Sequence, residues 1–124
     1  MSLKLLAPEA NSIIIDRDSG INPYDRLLYA IGMVESNNND RALNCLEMAY
    51  GRYQIRQVRL NDYYKQTGIR YNLTDMYDQT KAKEVFMWYA YRIGEDNPEL
   101  IIRKWNGSGS KTYEYLRKVK KHLL

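Results

Sequence analysis

The sequence predicts a mainly α-helical single domain with a short irregular or β segment after its first helix. Three observations carry this. Apolar residues recur at helical spacing in several separate stretches. Those stretches are bounded by helix punctuation: Asn22-Pro23, Gly68, Asn97-Pro98 and the run Asn106-Gly107-Ser108-Gly109-Ser110. And 124 residues, 44% of them hydrophobic, suit one core rather than two, and exclude a disordered polyampholyte.

Taken in order, Ile13-Ile14-Ile15 is a β-branched run that reads as a strand or packed arm, punctuated by Asp18-Ser19-Gly20. Residues 1–20 are therefore assigned as an N-terminal arm and residues 21–124 as the domain proper. Met1-Ser2-Leu3 reads as an expression remnant, and Met1 to Leu6 lacks the apolar run of a secretion signal. The first helix is expected to open at Asn22-Pro23, with proline already holding a helical φ. Tyr24, Leu27, Leu28 and Ile31 then mark its apolar stripe, and Ser36 to Asp40 break it. Arg41 to Tyr50 reads as a loop or short hairpin. Gln54 to Gln66 is mostly helical in pattern, with Gly68 as its stop. A third helix is expected from near Asp78, with Ala82, Val85, Phe86, Tyr89 and Ile93 on one face. Asn97-Pro98 opens a short helix through Ile101, Ile102 and Trp105. The last helix is expected to bury Leu116, Val119 and Leu123, with Arg117, Lys118, Lys120 and Lys121 mostly opposite.

Residue inventory narrows the chemistry. One cysteine, Cys45, forms no internal disulfide, and one histidine, His122, sits in a basic tail. A thiol or imidazole metal site and a Ser-His or Cys-His nucleophile are both poorly supplied, so no metal and no cofactor is expected. No apolar run approaches bilayer length. The net charge of +4 suits an anionic polymer, a cell wall or a nucleic acid. The basic residues of the last helix have an ordinary reading as a solvated face, so no nucleic-acid partner is expected. Twelve tyrosines and two tryptophans against one phenylalanine supply polar-tipped rings, suited to clefts or to a tyrosine-built core.

Glu35 is the candidate catalytic residue. It follows Ile31 by four positions and Tyr24 by eleven, which places it on the apolar stripe. A carboxylate there loses hydration, and a desolvated carboxyl keeps its proton toward neutral pH, as the acid of a glycosidase must. The competing reading, a frayed helix end pointing to water, weighs about equally on helix phase alone.

Glu35-Ser36, then Ala49-Tyr50-Gly51-Arg52-Tyr53-Gln54-Ile55, then Trp105-Asn106-Gly107 resemble the three motif blocks of the soluble lytic transglycosylase and goose-type lysozyme superfamily. Asp78 through Tyr89 and Thr112 through Val119 resemble its intervening and closing helices, so the likeness runs from about Leu27 to Val119. The resemblance implies a lysozyme-like fold and cleavage of the β-1,4 bond from N-acetylmuramic acid to N-acetylglucosamine. It places Glu35 as the acid/base, with Ser36, Tyr53, Gln54, Tyr89, Trp105 and Asn106 binding substrate. Glutamine and asparagine match an N-acetyl group, rings match pyranose faces, and Gly51 lets backbone approach the ligand. Each has an ordinary alternative: helix capping for Gln54 and Asn106, core for Tyr89 and Trp105. Trp105 replaces the family's Tyr, Arg52-Tyr53 its Leu-Met, and Ala82 and Phe86 its Asn and Gly.

No second carboxylate is clearly placed for hydrolysis. Asp40, Glu47 and Asp62 are the candidates, Glu47 nearest in spacing and Asp40 more simply a loop-ordering residue. A lytic transglycosylase, which needs one acid/base, is therefore expected, with a hydrolytic lysozyme or a non-catalytic wall-binding module as alternatives. The expected setting is extracytoplasmic or phage- or secretion-delivered, as a monomer acting on a glycan strand.

Overall fold

The computed structural model describes residues 24–94 and 97–123. The expected arm, the Ile13–Ile15 run and the Asn22-Pro23 start lie outside the described residues. The chain is mainly helical: α1 (Asp25–Ser36), β1 (Leu43–Asn44), β2 (Ala49–Tyr50), α2 (Gln57–Thr67), a 3₁₀ helix (Leu73–Tyr77), α3 (Gln79–Ile93), α4 (Pro98–Asn106) and α5 (Lys111–Lys120). Among the described residues, no helix is long and apolar enough to cross a membrane.

The chain divides into two compact units. Of the described residues, the first holds 24–31 and 93–123, and the second is Gly32–Arg92.

In the first unit, Tyr24, Leu27, Leu28, Ala30 and Ile31 are buried, as their helical spacing predicts. α4 starts as Asn97-Pro98 requires. The Asn97 side chain accepts from the Leu100 amide at 3.2 Å, satisfying a donor that the first turn leaves without a partner. Its buried face is Ile101, Ile102 and Trp105. Removing each isoleucine from water contributes roughly 1.5–3 kcal/mol. α5 corrects the expected stripe. Thr112, Tyr115 and Val119 are the buried residues, while Leu116 and Leu123 are only half-buried. Thr112 goes inside because its hydroxyl is fully paired: it donates to the Gly109 carbonyl at 2.7 Å and accepts from Arg103 Nε at 3.1 Å. The basic residues are divided. Arg117, Lys118 and Lys121 face water, and Lys120 pairs with Glu99.

The second unit begins with the last turn of α1 and an antiparallel hairpin, Leu43 opposite Tyr50 and Asn44 opposite Ala49. Asn44 ties the hairpin turn, accepting from the Glu47 amide at 3.2 Å and donating to the Glu47 carboxylate at 2.9 Å. The chain then reverses through Gly51–Gln54, closed by paired bonds between Tyr50 and Ile55 of 2.9 and 3.0 Å. α2 consequently starts at Gln57, not at Gln54 where the apolar pattern begins: Ile55 is drawn into the bridge and Gln54 is left-handed. Gly68 ends the helix in the left-handed conformation, its amide reaching the Tyr64 carbonyl at 2.8 Å.

The 3₁₀ helix has no counterpart in the apolar pattern. It is set by a reciprocal cap between Asn72 and Asp75. The α3 core face is Ala82, Val85, Phe86 and Ala90, with Tyr89 and Ile93 half-buried at its margin. Aromatic rings join α2, the following loop and α3. Tyr63 stacks on Tyr71 at 5.7 Å and meets Trp88 edge-on at 5.3 Å.

Candidate active site

Glu35 is the penultimate residue of α1 and is half-buried. A helix end lacks onward hydrogen bonds and frays unless something else holds it. Here several ties do. The Asn37 amide reaches the Met33 carbonyl and the Asn38 amide the Gly32 carbonyl, both at 3.0 Å. Asn37 and Asn38 are both left-handed, a conformation that asparagine tolerates better than other side-chain-bearing residues. The Ser36 hydroxyl donates to the Arg52 carbonyl at 2.7 Å and accepts from the Asn39 amide at 3.1 Å. The first two motif blocks, 16 residues apart, are thus brought into direct contact.

Glu35 directly precedes Ser36, and Gln54 follows Arg52 by two residues. Gln54 has φ +54°, which costs a side-chain-bearing residue on the order of 1 kcal/mol. Its Nε2 donates to the Gly51 carbonyl at 3.0 Å, so the side chain folds over its own turn. All four left-handed non-glycine residues among those described, Asn37, Asn38, Met48 and Gln54, fall in this short stretch. Local strain of this kind is retained where the surroundings over-determine it, often at functional sites.

The rest of the second block differs from expectation. The close approach that Gly51 permits is to protein: a Cβ there would lie 2.0 Å from the Met76 carbonyl oxygen. Tyr53 is 2% exposed, with its ring 6.0 Å from that of Phe86. No face is open to a sugar, so the tyrosine supports the turn from the core side. Ala82 and Phe86 are likewise buried.

Two of the three candidate second carboxylates are paired with arginines. Asp40 pairs with the Arg52 side chain: Nε meets Oδ1 at 2.8 Å and Nη2 meets Oδ2 at 3.3 Å. This hydrogen bond holds the Arg52 pKa above its ordinary high value, against the desolvation that lowers it. Glu47 pairs with Arg56 at 2.7 Å, and Asp62 faces solvent. An open groove of about 750 Å³ lies beside this loop, lined by Asp40, Arg41, Thr74, Asp75, Tyr77 and Asp78. Among the described residues, no cluster of three His, Cys, Asp or Glu side chains is arranged to hold a metal.

Tyr89 belongs to the second unit and is half-buried, with the Arg59 guanidinium 4.0 Å from its ring centre. Trp105 and Asn106 belong to the first unit. Trp105 is 6% exposed and is core, leaving its indole no open face for a pyranose. Asn106 is the exposed last residue of α4, before Gly107.

Two features of the site had little or no signature in the sequence. The Asp40–Arg52 pair joins residues twelve apart across a hairpin, and opposite charge at that separation was its only hint. Left-handed Gln54 had none, because no propensity favours glutamine there. Comparison of the chain with family models, curated proteins and solved structures yields no match.

Proposed function

We propose that the chain is a peptidoglycan-cleaving glycosidase domain, a lytic transglycosylase that uses Glu35 as its single acid/base. The observation that carries this reading is the Ser36–Arg52 bond, which sets the Glu35 turn of α1 against the turn carrying Gln54. A half-buried carboxyl on a turn tied to the turn that carries an ordered amide side chain supports a one-acid glycosidase. The engagement of Asp40 by Arg52 and of Glu47 by Arg56 supports chemistry without a second carboxylate.

In the proposed reaction, the Glu35 carboxyl donates its proton to the glycosidic oxygen as the bond to C1 of the muramyl residue breaks. The substrate's own N-acetyl oxygen shields the cationic centre at C1. The Glu35 carboxylate then accepts the proton of the muramyl C6 hydroxyl as that oxygen bonds to C1. The product is a 1,6-anhydromuramyl end, and the enzyme regains its proton. Gln54 Oε1 is suited to accept from an amide N–H of the substrate. The setting is where glycan strands are, outside the cytoplasmic membrane, and the domain acts as a monomer.

Digestion of purified sacculi followed by mass spectrometry tests this. Anhydro ends from the native chain, and none from Glu35→Gln, are expected. Ends carrying one added water would make the domain a hydrolytic lysozyme. No cleavage by the native chain would leave a wall-binding module.

A further inference from the structure

The end of a helix is a poor mount for a residue that has to be held to a fraction of an ångström. Glu35 sits on one, followed by two left-handed asparagines. Beyond the backbone bonds of the turn itself, the ties that join it to the rest of this unit include a set made by Arg52. Its carbonyl takes the Ser36 hydroxyl at 2.7 Å. Its guanidinium grips Asp40 through two parallel bonds, and Nη1 lies 3.5 Å from Oδ1 of Asn38. Its side-chain stem lies against α1: a Cβ at Gly32 would meet Arg52 Cγ at 3.2 Å and Asn38 Oδ1 at 2.0 Å. Gly32 therefore leaves room both for the Arg52 stem and for the asparagine that turns the chain. The Arg52 and Asp40 side chains are 20% and 37% exposed, so the pair is partly shielded from solvent and salt.

We propose that the Arg52–Asp40 pair is the positioning device for Glu35, clamping the last turn of α1, the Asn37–Asp40 loop and the Gly51–Gln54 turn into one rigid piece. The proposal rests on the catalytic reading of Glu35. In this proposal Arg52 is a positioning residue that acts through Ser36 and the loop. Arginine is required because a planar fork fixes direction as well as distance, which a lysine ammonium does not.

The test uses Asp40→Asn, Arg52→Met, Arg52→Lys and the Asp40→Asn/Arg52→Met double variant of the full chain. Turnover on isolated glycan strands and amide hydrogen exchange of the free protein are both measured. Each single variant should lower kcat by on the order of tenfold or more with KM changed less than about twofold, since misplacement by an ångström is that costly. Arg52→Lys should fail to restore kcat. The double variant should lose no more than the worse single, because both remove the same clamp. Exchange at Asn38 and Asn39 should accelerate about tenfold while Leu60 on α2 and Phe86 on α3 stay protected.

Retention of kcat by Arg52→Met or full rescue by Arg52→Lys overturns the proposal. Multiplicative losses in the double variant, which mark two independent roles, or equal loosening of Leu60 and Phe86, which marks a general loss of stability, overturn it as well. If the native chain cleaves no glycan, the catalytic reading falls on its own. Hydrogen exchange then decides the clamp, and unchanged rates at Asn38 and Asn39 overturn it.

Discussion

Replacing Gly51 by alanine is the sharpest test of how the second unit is built. Gly51 has φ +82°, and an added Cβ would fall 2.0 Å from the Met76 carbonyl oxygen and 2.8 Å from its carbon. Both are backbone atoms of the 3₁₀ helix, so neither escapes by a rotamer change. Gly68 has nearly the same φ, +76°, but a Cβ there meets nothing within 4 Å. The two glycines therefore separate conformation from collision. Left-handed backbone costs alanine about 1–2 kcal/mol. Restricting the unfolded chain returns about 0.4–1 kcal/mol of that. Gly68→Ala should then cost roughly 1 kcal/mol. Gly51→Ala adds an overpacking strain of about 1–3 kcal/mol, for a total of roughly 2–4 kcal/mol. At about 4 °C per kcal/mol for a chain of this size, Gly51→Ala should melt roughly 8–16 °C lower and Gly68→Ala roughly 4 °C lower. Thermal melts by circular dichroism and urea midpoints at unchanged slope provide the measurement. Equal losses at the two sites would refute the claimed contact between the Gly51 turn and the 3₁₀ helix.

Two further outcomes follow from other parts of the structure. The Asp75 carboxylate is held below its ordinary pKa, chiefly by the Asn72 amide at 2.7 Å and also by Lys81 at 3.2 Å. A depressed carboxylate stabilises the fold above its unfolded pKa and loses that contribution as pH falls through its folded value. Asp75→Ala should therefore cost about 1 kcal/mol at neutral pH, and the gap to the native chain should close as pH drops below about 4. A gap that stays constant down to acid pH contradicts the cap. In the first unit, Thr112→Val removes a buried hydroxyl that serves both the Gly109 carbonyl and Arg103 Nε. It should lower stability by about 1–3 kcal/mol in urea unfolding, with Thr112→Ser close to the native chain. Valine matching threonine would mean that this hydroxyl contributes no net stability.

Sequence alone was enough for the features that depend on near neighbours. Asn97-Pro98 starts α4 because a cap and a fixed φ act within one turn. Gly68 stops α2 because its own backbone takes a conformation others resist. Ala82, Val85 and Phe86 in the core face of α3, and Tyr24, Leu27, Leu28 and Ile31 at the start of the chain's first helical stretch, followed from a spacing that any helix imposes, whereas Ala90 took the buried place expected of Tyr89 and Ile93. The polar run after Glu35 marks the end of α1, and of the two readings of Arg41–Tyr50, loop or short hairpin, the structure has the hairpin.

What the tertiary structure decided were matters of partnership. Thr112 and Tyr115 take the inner face of α5 in place of Leu116, because a paired hydroxyl and a ring body can be buried where pattern favours leucine, and Leu123 lies beyond the end of the helix. Tyr53 and Trp105 went to the core, and Gly51 made its close approach to Met76 instead of a ligand. α2 began late because Ile55 found a bridge partner in Tyr50. Asp40 found Arg52 twelve residues away, and Ser36 found the same arginine's carbonyl. Local chemistry determines where a helix begins and ends. Which polar group meets which depends on folding the chain back on itself, and no window along the sequence contains that information.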